Sequence, residues 1–144
     1  MKDKDLRVEI AHEFYRCFDK NQSEKLCEII SDTFLDHDAQ DKQNGLEESQ
    51  NLILALHEGF SHISHELEQI HLIGKDKIFV RWKMTGKHTG TFFHIPSSEK
   101  DIVLRGHDLF RIVEGKIVEL WHIEQLLSLV SQLSPNEESR WPRP

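Results

Sequence analysis

The sequence predicts an α+β fold in one domain, with helices first and an antiparallel sheet after them. Apolar residues recur at helical spacing as far as Phe60, and from Ser64 onward the period drops to two. Turn residues punctuate the second half at Gly74-Lys75-Asp76 and Glu114-Gly115. The length of 144 residues, with 38% apolar side chains, suits one domain that buries a core and still holds a modest cavity.

The elements follow in order. Leu6, Ile10, Phe14, Cys17 and Phe18 make the apolar stripe of a first helix, with Asp3 or Asp5 to start it. "NQSEKLCEII" offers Ser23 as the cap of a shorter helix that carries Leu26, Ile29 and Ile30. Ser31 to Gly45 is polar and turn-rich and reads as an irregular loop. A third helix is expected from Leu46 to Phe60, with Leu52, Leu56 and Phe60 along one stripe.

"HELEQIHLIG" and "KIFVRWKMTG" then alternate as strands, the second with Ile78, Val80, Trp82 and Met84 on one face. The connection from Thr85 to Lys100 has room for one further short strand. "DIVLRGHDLFRIV" and "KIVELWHIE" form a hairpin, because an acidic residue followed by Gly at 114–115 suits the positive φ of a tight turn. Ser128 to Leu133 closes the domain as helix. Residues 1–134 are thus one domain, and the tail 135–144, "PNEESRWPRP", is expected to be disordered.

Composition limits what the chain does. Eighteen basic and 25 acidic residues give a net charge of −7 with no block of either sign, so no footprint for nucleic acid or an acidic membrane surface is present. No apolar run approaches spanning length, and "MKDKDLRVEIAHEF" lacks the apolar core of a secretory signal, so a cytoplasmic location is expected. Cys17 and Cys27 fall among helix-patterned residues and read as reduced thiols. The ten histidines include no HExxH: in "HEGFSH" the second His falls one position late for the same helical face, and no metal site is expected.

A regular hairpin turning at 114–115 sorts the side chains by face. It pairs Ile112 with Ile117, Phe110 with Glu119, Asp108 with Trp121, and Arg105 with Glu124. One face then carries Gly106, Asp108, Phe110, Ile112, Ile117, Glu119, Trp121 and Ile123, joined by Gln125 if the strand reaches it. The other carries His107, His122 and Glu124 and reads as interface or solvated surface. Asp108 and Glu119 would be carboxylates embedded in an apolar face beside an indole. Desolvation there raises a carboxyl toward the working range of a general acid or base. The plainer reading is that both are hydrogen-bonded to helix ends or water and do no chemistry. One extra residue in the strand would instead bring Glu124 inward.

Three stretches together resemble the SnoaL-like polyketide cyclase family, within the nuclear-transport-factor-2-like superfamily. "FLDHDAQDKQNGLE" is similar to the family's loop around a His-Asp, here His37 and Asp38. "IFVRWKMTGKHTGTF" resembles its central strand and turn, with His88 between Gly86 and Gly90. "GHDLFRIVEGKIVELWHIEQLLSLVSQL" is the closest match. The resemblance implies a cone: a curved antiparallel sheet wrapped around N-terminal helices, with a pocket at the wide end and dimers formed through the outer sheet face. It implies ring closure by intramolecular aldol chemistry, with an aspartate as acid/base and no metal or organic cofactor. That aspartate follows the tryptophan by four positions in the family, and here the place is held by Gln125. Glutamine exchanges no proton at neutral pH, though it can orient an oxygen.

The expected function is therefore cofactor-independent proton transfer on a small, mostly apolar carbonyl compound, of cyclase, isomerase or hydrolase type. Asp108 or Glu119 would serve as the catalytic carboxylate. Trp121, Gln125, His88, Trp82, His37 and Phe110 would contact substrate. The alternative is a non-catalytic module that binds a hydrophobic small molecule or dimerises.

Overall fold

The structure is a computed structural model and describes residues 5–134; the expected disordered tail and Asp3 as a helix start lie outside the described residues. α1 (Leu6–Asp19) is capped by Asp5, whose side chain accepts from the Arg7 N–H. Its buried stripe is Ile10, Ala11, Phe14, Tyr15, Cys17 and Phe18. α2 (Gly45–Gly59) and α3 (Leu126–Leu133) are the other α-helices. The segment around "SEKLCE" is a short 3-10 turn, Ser23–Glu28, and not the α-helix expected there.

Five strands form one curved sheet: β1 (Ile30–Asp36), β2 (Phe60–Ile73), β3 (Lys77–His88), β4 (Asp101–Val113) and β5 (Lys116–Glu124). Their order is β1-β5-β4-β3-β2. β2 to β5 are antiparallel neighbours, and β1 runs parallel to β5 at the edge. α1 packs on β2 and β3, α2 on β1 and β2, and α3 on β4. Between Thr85 and Lys100 there is no further strand, only an isolated bridge from Phe92 to Ile95 beyond the end of β3.

Except for its first residue, Ile30, which the sequence assigns to the short helix before it, β1 lies inside the segment that reads as an irregular loop. Its seven residues, "ISDTFLD", alternate poorly in hydropathy because the inward position at its end is Asp36. That carboxylate is buried against a histidine of β5, so its burial is satisfied by a partner distant in sequence.

The hairpin between β4 and β5 turns at Glu114 and Gly115, both with positive φ (51° and 77°), and pairs Val113 with Lys116. The register then slips. Ile112 faces Ile117, but Arg111 faces Glu119, so Val118 is an extra residue in β5. Beyond this bulge Phe110 faces Leu120, Leu109 faces Trp121, Asp108 faces His122 and Gly106 faces Glu124. This corrects the regular register: Glu119, Trp121 and Ile123 turn outward, and Leu120, His122 and Glu124 turn inward.

Candidate active site

Between the sheet's inner face and the helices lies a cavity of about 430 Å³. Its walls include Phe14 and Phe18 of α1, Leu56 of α2, Trp82 and Met84 of β3, and Leu104 of β4. Among the polar side chains that interrupt this lining, which include Gln40, Glu48 and Ser49, two groups bear on its chemistry, one on β4 and β5 and one on β2.

The first group centres on Asp108, which is 5% exposed. The Tyr15 hydroxyl, reaching across from α1, donates to Asp108 Oδ2 at 2.5 Å. Burial pushes the Asp108 carboxyl up to about 7; the Tyr15 hydrogen bond opposes the rise, and the charge of Glu124 adds to it. The Trp82 indole N–H is buried without an ordinary hydrogen-bond partner and lies near enough to Asp108 to favour the charged form. The Tyr15 phenol is held well above its ordinary range, first by burial and then by the neighbouring carboxylate, so it remains a proton donor.

Opposite Asp108, His122 is clamped between two carboxylates. Its Nε2 lies 2.9 Å from Asp36 Oδ1, and its Nδ1 is hydrogen-bonded to Glu124. Burial works to lower this imidazole, but the hydrogen bonds to Asp36 and Glu124 outweigh it and carry it up to about 10. At neutral pH it is an imidazolium. The backbone N–H of His122 donates to Asp38 Oδ2 at 2.8 Å, and Asp38 N–H donates to Asp36 Oδ1 at 3.0 Å, which fixes the end of β1 against β5.

Asp108, His122 and Glu124 each bring a ligand atom within 4.8 Å of the others, a spacing that admits a metal ion. Nothing in their spacing along the chain groups them. Both nitrogens of His122 already face carboxylates, so ligating an ion would cost the ring one of these hydrogen bonds.

The second polar group is His65 of β2 with Asp19 at the end of α1. His65 Nδ1 is 2.6 Å from Asp19 Oδ1, and the His65 backbone N–H donates to Asp19 Oδ2 at 2.9 Å. The ring lies against Trp82 and Tyr15, at centroid distances of 5.2 and 5.4 Å.

Of the eight residues expected to catalyse or contact substrate, Asp108 and Trp82 line the cavity. The cavity's lining does not include the other six. Glu119 is on the outer side, bonded to Arg111 and, at 2.7 Å, to His37 Nε2. These partners, His37 first, hold its carboxyl below the usual range. Trp121 is also outside, its ring stacked on His37 at 4.5 Å with the planes 5° apart. Both were expected inside, and the bulge at Val118 is what turns them out. Phe110 is fully buried behind the cavity, edge-on to Phe14 at 5.1 Å, and serves the core.

His88 is fully buried at the base of the 89–100 loop. Its Nδ1 accepts from the Ser98 N–H at 3.1 Å and lies 2.8 Å from Ser98 Oγ, so it anchors that loop. Gln125 ends the sheet: its N–H donates to Arg105 O at 2.9 Å and its carbonyl accepts from Leu129 N–H at 3.2 Å. The residues sequence reasoning missed are Tyr15, Asp36, His65 and His122; Glu124 comes inward by the extra strand residue that the sequence left open as an alternative. The alternation within β5 is regular on either side of Val118, so no local signal marks the slip; the inward Asp36 and the helix-borne Tyr15 emerge only from tertiary packing.

The model of the SnoaL-like polyketide cyclase family matches residues 9–133. Among solved structures, TsrD from Streptomyces laurentii superimposes with a TM-score of 0.78 at 19% identity, covering 92% of this chain and 98% of that one. A candidate polyketide cyclase from Bacillus cereus gives a TM-score of 0.73 at 26% identity over 89% of this chain and 80% of its own. A SnoaL-like polyketide cyclase from Agrobacterium tumefaciens gives 0.70 at 13% identity, covering 92% of this chain and 100% of that one. No curated protein matches the chain.

Proposed function

Since the chain belongs to the SnoaL-like polyketide cyclase family, we propose that it catalyses cofactor-independent proton transfer at the carbon beside a carbonyl, in a small and mostly apolar compound. The observation that carries this reading is Asp108, a carboxyl in an apolar cavity whose burial brings it up to about 7. A base with that value is half ionised near neutral pH and still strong enough to take a carbon-bound proton. In the reaction, the ionised Asp108 removes the α-proton and the electron pair moves onto the carbonyl oxygen. Both nitrogens of His122 are taken up by carboxylates, so the donor on hand for that enolate oxygen is the indole N–H of Trp82, which lines the cavity and has no ordinary hydrogen-bond partner. Protonated Asp108 then returns the proton to carbon, or the enolate attacks a second carbonyl of the same molecule to close a ring and Asp108 gives its proton to the new alkoxide oxygen.

The position that the family resemblance gives to the acid holds Gln125, which lies outside the cavity. That departure favours the second reading, a module that binds such a compound without turning it over. We also infer a homodimer through the outer sheet face, where Ile123 is 76% exposed.

The test uses 2-tetralone as probe, with exchange of its C1 protons followed by NMR in deuterated buffer. Wild type should accelerate exchange, and Asp108→Asn should return it to the buffer rate. Binding without exchange would leave the binding module; no binding would overturn both readings.

A further inference from the structure

We propose that His65, oriented by Asp19, forms a hydroxyl-recognising subsite of the cavity, which selects carbonyl compounds that carry a hydroxyl group away from the reacting carbon. The inference rests on reading the cavity as a ligand site, and it concerns a wall that the proton-transfer step does not use.

Two features on the page go beyond what docking β2 onto α1 requires. The strand could be held by the backbone bond alone, His65 N–H to Asp19 Oδ2, with any residue but proline at position 65. The second carboxylate oxygen is spent on the imidazole itself, through Nδ1. The His65 side chain is 5% exposed, so the ring is fixed inside the wall. The strand is also distorted to place it there: pairing with β3 slips between Ser61 and Ser64, and His62 takes a positive φ of 55°. A bulge of this kind re-aims the side chains that follow it.

The hydrogen bond to Asp19 sets the tautomer. In the neutral ring the proton sits on Nδ1, and Nε2 carries a lone pair. That atom has no hydrogen-bond partner among the described residues, and the rings of Tyr15, Phe18 and Trp82 surround the imidazole at 5.4, 5.9 and 5.2 Å. A lone pair in an aromatic wall asks for a donor. A ketone oxygen cannot provide one, whereas a phenol or alcohol can. A site built to bond a hydroxyl discriminates well against the analogue that lacks it, because the analogue covers the acceptor without matching it.

The test compares 2-tetralone with its 6-hydroxy and 7-hydroxy derivatives, titrated calorimetrically into the full chain at pH 8. At least one hydroxylated ligand should bind wild type about tenfold more tightly than the parent. That advantage should vanish in His65→Phe, shrink in Asp19→Asn, and survive in part in His65→Gln, which keeps an acceptor. In wild type, the His65 Nε2 nitrogen resonance should move with the hydroxylated ligand and stay in place with 2-tetralone. This readout needs no variant to fold. Equal binding of parent and derivatives, or an advantage that His65→Phe retains in full, would overturn the subsite and leave the proton-transfer reading standing. Failure of all three to bind would overturn the cavity as a ligand site, and the subsite with it.

Discussion

The Tyr15 hydroxyl donates to Asp108 Oδ2 across 2.5 Å, joining the first helix to the fourth strand at a buried carboxyl. The bond opposes the rise that burial imposes on Asp108. Tyr15→Phe should therefore move the Asp108 titration above 7, as read by carbon NMR of the labelled carboxyl. An unchanged midpoint would mean that the hydroxyl does not hold the charged form. Glu124 acts in the opposite sense, so removing its charge should bring the midpoint down.

The same carboxyl makes exchange of 2-tetralone depend on pH. Asp108 must be ionised to act as base, so the rate should climb as pH rises through about 7. Stability runs the other way. Asp108 has a higher value folded than unfolded, so ionising it costs stability between about pH 4 and 7. Asp108→Asn should flatten that loss in denaturant titrations while reducing exchange by roughly a hundredfold or more.

His122 supplies a second window. Its folded value of about 10 lies above the 6.5 of a free imidazole, so its contribution is fully present below pH 6.5 and is lost as pH rises through about 10. Melting temperature of wild type should fall across that interval, and His122→Gln should fall far less steeply. A parallel decline in both proteins would show that other groups set the alkaline limit.

Gly106 is where the indole of Trp82 crosses β4. A Cβ at this position would meet Trp82 Cζ2 at 2.3 Å and the Ile123 carbonyl oxygen at 2.9 Å. Gly106→Ala should thus displace the indole from the cavity wall, weaken 2-tetralone binding and destabilise by about 1–3 kcal/mol, as overpacked sites do. Tryptophan emission and chemical denaturation measure the two effects. Trp121→Ala, outside the cavity, should leave ligand binding unchanged.

On the outer face, Ile123→Asp puts a charge where the dimer contact is inferred. Light scattering should give twice the chain mass for wild type and the single-chain mass for the variant. A monomeric wild type would remove that contact from consideration.

Helical and strand periods in the chain predicted α1, α2 and the four antiparallel strands, and the inward set Ile78, Val80, Trp82 and Met84 follows from simple alternation. β1 escaped because Asp36 and Asp32 break its apolar pattern, and only the distant His122 explains a buried Asp36. Asp108 was legible as a carboxylate on an apolar strand face. Its partners were not, since Tyr15 reads as one more aromatic of a helix stripe, and His122 and Glu124 fall on the wrong face of any regular hairpin. The count of four positions from Trp121 points to Gln125 only if both share the cavity, and the bulge turns Trp121 out of it.

The extra residue at Val118 has a consequence for how such chains diverge. Deleting Val118 would change no charged, aromatic or hydrogen-bonding side chain. It would nonetheless rotate the rest of β5 by half a turn, exposing His122 and Glu124 and carrying Trp121 toward the interior. In this strand, residue number is therefore heritable information as much as residue identity. Two relatives that differ by one codon here would present opposite chemistries to the same cavity, although a residue-by-residue comparison of the strand would score them as nearly alike.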